Sequence, residues 1–151
     1  PCIDGDSWQW DGVRFTTWRW QQAPEGNAAS CVLQVEAASG ERLLLTGDID
    51  QAAERALLAS GRDLRADWLQ VPHHGSGSSS SLAFVQAVAP RAVLLSRGRY
   101  NSYGHPHPRV MARYRALGAV VYDNVPNGTL RLLLGQYGEA RGEREQRYFW
   151  R

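Results

Sequence analysis

Lysine is missing from this 151-residue chain, and all 17 of its basic residues are arginine. Total replacement of one cation by the other follows genome composition more often than function, although the planar guanidinium does suit phosphate. Methionine occurs once, at Met111, so Pro1 is not a natural start and the sequence reads as a piece of a longer protein with partners outside it. Cysteine occurs twice, at Cys2 and Cys31, in no metal-binding or redox C-x-x-C spacing. The two form either one bridge, which would imply an oxidising compartment, or two separate thiols. No apolar run approaches the roughly 20 residues of a membrane helix, and the opening PCIDGDSWQW lacks the charged start and apolar centre of a signal peptide. A soluble chain is expected. A net charge of +2 excludes a strong overall field that gathers nucleic acid and leaves room only for a local basic stripe. With 43% hydrophobic and 21% charged residues, disorder, collagen and simple coiled coil are excluded in favour of one domain with a real core.

The first third is β-rich. Trp8 to Trp20 alternates bulky and polar residues around Asp11-Gly12, a pair suited to a tight hairpin. Its four tryptophans, Trp8, Trp10, Trp18 and Trp20, fit a filled sheet face better than a stack for bases. Residues 31–37 and 42–46 continue as strands across a Ser39-Gly40 turn. After Gly47 helices and strands alternate. A helix carries Ala53, Ala56, Leu57 and Ser60 on one face and ends at Gly61. A strand follows at 68–71, and Ser81 caps a helix that Pro90 stops. The strand 92–96, apolar almost throughout, reads as buried on both sides. A third helix opens at Pro108, and 119–122 and 129–134 read as a strand pair across the Pro126-Asn127-Gly128 turn. The expected fold is α/β with a mixed sheet. The mixed charges of 138–151 read as a solvated helix or a loose, flexible tail, the tail being the expectation.

Polar residues gather at the strand ends. Asp48 follows RLLLT, His73 and His74 follow WLQV, and His105 and His107 follow AVLLS, so all four histidines lie in two loops. In α/β sheets such carboxyl ends carry ligands on a rigid scaffold. Each piece alone has a structural explanation: a turn, a hydrogen-bonded histidine, a loop-shaping proline. Their joint placement points to part of a metal site, since carboxylate and neutral imidazole suit Zn²⁺ or Mn²⁺. A two-metal centre needs about seven or eight ligand atoms, more than these side chains offer.

The strings LLLTGDI, WLQVPHHGSGSSSS and NSYGHPHP, with WQWDGVRF, NAASCVL and the PNG turn, resemble the carboxyl-terminal part of the metallo-β-lactamase-like domain of the ComEC family of DNA-uptake channel proteins. The resemblance covers nearly the whole chain. It implies that residues 1–151 form the C-terminal half of a metallo-β-lactamase-like αββα sandwich, that Asp48 bridges two cations, and that either His73 or His74 is the late histidine ligand, the other supporting it or touching substrate. Around the opposite loop it suggests His105 as a phosphate contact or proton donor to a leaving oxygen, with Asn101 and Tyr103 beside it. The family's earlier H-x-H-x-D-H motif is missing, since histidine first occurs at position 73. It is expected upstream of Pro1, and weak or no metal binding is expected of this chain alone.

The complete site would then use two divalent cations, zinc or manganese, to activate water for attack on phosphorus, degrading one DNA strand while the other passes through the membrane channel of the same polypeptide. The Gly75 to Ser81 loop, with Ser76, reads either as a phosphate-holding turn before a helix or as a flexible linker. Arg97 and Arg99 read as phosphate contacts or as solvated charges. The family implies a soluble domain on an inner-membrane protein, on the periplasmic face. The alternatives are a silent DNA-guiding or scaffold domain of the same fold, and a hydrolase of another small ester or lactam.

Overall fold

The computed structural model describes residues 2–23 and 25–145. Asp11 and Gly12 take positive φ angles of 49° and 77°, as a two-residue hairpin of right-handed twist requires, and they join β1 (Ser7–Trp10) to β2 (Val13–Trp18). The meander continues through β3 (Val32–Glu36) and β4 (Arg42–Leu45), each strand antiparallel to the last. From β4 onward the pairing is parallel. Helix α1 (Gln51–Ala59) leads to β5 (Trp68–Gln70), α2 (Leu82–Val88) to β6 (Ala92–Leu95), and α3 (Pro108–Ala116) to β7 (Val120–Asp123). The result is one seven-stranded mixed sheet with its strands in chain order. A short α4 (Asn124–Asn127) follows, then β8 (Leu130–Arg131) and β9 (Arg141–Gly142), paired antiparallel in a separate small sheet.

The three crossover helices share a face. Their inward side chains, among them Ala53, Leu57, Phe84, Val88, Val110 and Tyr114, pack with Val32, Leu44, Leu69 and Val93 of the sheet into the main core. Period-2 alternation sends Leu43, Trp68 and Leu94 to the other face, where they meet Leu132, Leu134 and Ala140 of the C-terminal segment. That segment is fastened by Glu41. Its fully buried carboxylate accepts hydrogen bonds from Trp68 Nε1 (2.8 Å), Arg91 Nη2 (2.7 Å) and the amides of Gly135 (2.5 Å) and Tyr137 (3.0 Å). Burial alone would raise the Glu41 pKa; the bonds from Trp68, Tyr137, Arg91 and Gly135 together outweigh it and leave it lowered.

The structure corrects two expectations. Residues 129–134 do not pair with β7: Pro126 and Asn127 lie in α4, and Leu130–Arg131 pairs with β9 instead. The local turn signal suggests a hairpin, but Asp123 accepts the Val125 amide and caps a helical turn. The tryptophans divide: Trp18 is buried, whereas Trp8 stacks on Phe15 (5.1 Å between centroids) with much of its surface open, and Trp10 is 75% exposed. An edge strand has a neighbour on one side only, so a sheet-face periodicity there does not imply cover. Within 138–151, Arg141–Gly142 is strand and Glu143–Glu145 a 3-10 turn, and 146–151 lie outside the described residues. Cys2 and Cys31 form a disulfide, resolving that pair of alternatives.

Candidate functional site

The turn after β4 presents Asp48. Gln70 of the neighbouring strand fixes this turn, its Oε1 accepting the amides of Thr46 and Gly47, both at 2.9 Å. Gly47, at φ 56°, lies so close to Ser30 that an added Cβ would stand 3.2 Å from the serine Cβ. Ser30 Oγ accepts the Asp48 amide at 3.3 Å.

The loop after β5 carries both histidines in left-handed backbone, at φ 50° for His73 and 56° for His74, followed by Gly75 at 80°. For side chains bearing a Cβ this conformation costs roughly 1–2 kcal/mol each, and it is maintained by the surroundings. The His73 amide donates to Gly47 O (3.1 Å), tying this loop to the first. The His107 amide donates to Gly75 O (2.8 Å), tying it to the third. All three strand ends meet at one edge.

The two histidines are not equivalent. His74 donates Nδ1–H to the Ser96 carbonyl at 2.8 Å, which leaves the Nε2 lone pair free, and that nitrogen is 3.7 Å from Asp48 Oδ1. His73 Nε2 stands 3.1 Å from Asn27 Nδ2 and accepts from that amide, placing the ring proton on Nδ1, which is buried without a partner. Two donors about 2.1 Å from one cation lie about 3–3.5 Å apart, so Asp48 and His74 fit a shared divalent ion nearly as they stand. His73, with one nitrogen already engaged, fits beside it. Among the described residues no third histidine, cysteine or carboxylate joins them as a metal-binding group.

His105 lies across the cleft, its ring 5.8 Å from that of His73. Burial, then the charges of His73, His74 and His107, lowers its pKa, so the imidazole is neutral near pH 7. Asn101 clips the backbone here, donating to His105 O (2.9 Å) and accepting its amide (2.8 Å), while Tyr103 stacks on the His105 ring. Arg97 is held by Asp123 Oδ2 through Nε (2.9 Å) and Nη2 (2.7 Å). His107 caps α3, its Nδ1 accepting the Arg109 amide.

The serine-rich loop is a built structure, not a linker. Ser79 and Ser80 are fully buried, and Ser76 nearly so, with its hydroxyl 3.0 Å from that of Ser78. Ser79 Oγ donates to Pro72 O and Ser76 O, while Tyr114 OH donates to Ser80 Oγ (2.8 Å). The two amides just before α2 are committed: those of Ser80 and Ser81 donate to the two oxygens of Glu54. An internal carboxylate thus takes up two amides of the loop in which the sequence suggests a phosphate hold. Burial raises the Glu54 pKa against the pull of these bonds and of Arg113. Sequence reasoning missed Glu54, Gln70, Ser30 and Asn27. Of these only Glu54 left a trace, as a charge on the buried side of an otherwise small-residue helix face.

No family model matches the chain. It is 39% identical over 147 residues to the competence protein ComA of Neisseria gonorrhoeae, covering 95% of this chain and 21% of that protein. It is 42% identical over 121 residues to the uncharacterized protein YcaI of Escherichia coli K12, covering 78% and 16%. Over 104 residues it is 34% identical to ComE operon protein 3 of Bacillus subtilis, covering 69% and 13%. The chain spans about a fifth or less of the length of these relatives.

Proposed function

The chain is a homologue of one segment of competence proteins, and from that premise we propose that it serves DNA uptake as part of a ComEC-type protein, supplying one wall of a metal-dependent site that hydrolyses phosphodiesters of one DNA strand. The observation that carries this reading is the His74 geometry: Nδ1 bonded to the Ser96 carbonyl, Nε2 turned toward Asp48. A backbone carbonyl on the far nitrogen is the support a metal-binding imidazole needs. Asp48 and His74 would hold zinc or manganese, and the remaining ligands belong, in this reading, to polypeptide outside the present sequence, within a metallo-β-lactamase-like sandwich. Two such cations, when bound, supply a hydroxide near neutral pH and polarise the phosphoryl oxygens.

The chain's own residues orient and hold. Gln70 and Ser30 aim Asp48, while Asn27 keeps His73 against the cleft. His105, neutral by burial, suits a hydrogen bond to a phosphate oxygen or acceptance of a proton better than donation to a leaving group. The Cys2–Cys31 bridge supports a location on the oxidising, periplasmic side of the inner membrane. Among the described residues no helix is long and apolar enough to cross a membrane.

The test is cleavage of single-stranded DNA by the full-length polypeptide with Mn²⁺ or Zn²⁺. Asp48→Ala and His74→Ala are each expected to lose more than the roughly 10–100-fold typical of supporting residues, and His73→Ala to fall within that range. Normal cutting by the Asp48→Ala protein would end the proposal.

A further inference from the structure

Beside the Asp48–His74 pair the loop between β6 and α3 walls a hollow of about 280 Å³, bounded by His74, Ser96, Arg97, Asn101, Tyr103 and His105. We infer that this hollow is a stacking subsite for one unpaired DNA base next to the scissile position. The inference rests on the reading that this edge handles DNA, and it adds what that reading leaves open: the part of the nucleotide held here and the strandedness it demands.

The walls select a neutral planar group. Tyr103 lies against His105 with ring centroids 5.7 Å apart and planes 18° from parallel, an offset stack that fixes the tyrosine ring. Yet Tyr103 is 82% exposed, so a large apolar ring is held still with most of its surface bare. The scaffold beneath it is rigid, since Asn101 spans the loop by donating to Gly98 O and His105 O, both at 2.9 Å. A phosphate is a poor occupant. Among the described residues the one guanidinium lining the hollow, that of Arg97, already has two bonds to Asp123, which offset its charge. Arg99, two residues further along the same loop, is exposed and makes no ion pair among the described residues. Stacking on an aromatic ring requires a free base face, and in a duplex both faces are taken by neighbouring pairs. The subsite therefore favours single strands through shape, without reading sequence.

The experiment measures binding of a short fluorescein-labelled single-stranded DNA to the full-length polypeptide by anisotropy, with EDTA present so that nothing is cut. Tyr103→Ala is expected to weaken binding about tenfold and Tyr103→Phe, which keeps the ring, to restore it. Removing one base to leave an abasic position should cost the wild type a similar factor and cost Tyr103→Ala nothing more. Blunt duplex should bind both proteins alike. Among the described residues Tyr103 makes a ring contact with His105 and no hydrogen bond, and circular dichroism of the variant checks that the fold survives its removal. Equal single-strand binding by wild type and Tyr103→Ala, or an abasic penalty that persists unchanged in Tyr103→Ala, overturns the subsite, as does failure of the wild type to bind single strands. The hydrolytic reading fails separately: cutting indifferent to Asp48→Ala would remove it while a Tyr103-dependent base effect left the subsite standing.

Discussion

A carboxylate with no solvent contact and two backbone amides on its oxygens is an anchor, and Glu54 is the residue that decides the shape of the histidine loop from behind. Ser80 and Ser81 donate to it, Ser80 is further held by Tyr114 and Arg113, and Ser79 reaches back to Pro72, the residue before His73. Glu54→Gln substitutes an NH₂ for one acceptor and sets donor against donor. A loss of about 1–3 kcal/mol is expected, since a buried amide is left unpaired. Urea unfolding of the variant checks this, and an unchanged midpoint would show that the loop holds itself. At this scale the sequence exposed Asp48 and the histidines because reactive side chains are few and sat just past apolar strands. It concealed Gln70, Ser30, Asn27 and Glu54, whose roles arise from partners 18 to 46 residues away.

Between elements a tight join is the contact of the histidine loop with the His105–His107 turn. Gly75 has φ 80°, and a Cβ built there would lie 2.6 Å from Pro106 Cβ. Gly75→Ala therefore meets both strain and overlap, and a destabilisation of about 1–3 kcal/mol or more is expected. Its second signature is local: the hydrogen bond from the His107 amide to Gly75 O should open, seen as faster hydrogen exchange at His107 with the β-meander unaffected. Element type was legible wherever periodicity and capping agreed. Ser81 accepts the Phe84 amide as its position before α2 suggested, and Pro108 occupies the first turn of α3. Legibility failed at 124–142, where pairing is decided by a contact with a distant carboxylate, Glu41, and not by any local pattern.

Across the whole molecule two features set stability. The Cys2–Cys31 bridge closes a loop of sequence separation 29. Cys2→Ser is expected to cost roughly 3–4 kcal/mol by the loop-entropy relation, and the wild type in reductant should match it in denaturant unfolding. Glu41 sets the acid limb. Its folded pKa lies below the ordinary 4.5, so the folded form binds the proton less readily than the unfolded chain. The stabilisation is complete above that ordinary value and is lost as pH falls through the folded one. Glu41→Gln should therefore lower stability at neutral pH and flatten the decline below about pH 4.5, as thermal melts across the acid range would record.

The near-contact of Gly75 with Pro106 also ties the two loops mechanically. A side chain of any size at position 75 would displace the proline turn, so the histidine loop and the turn that carries His105 and His107 keep their shapes together or lose them together.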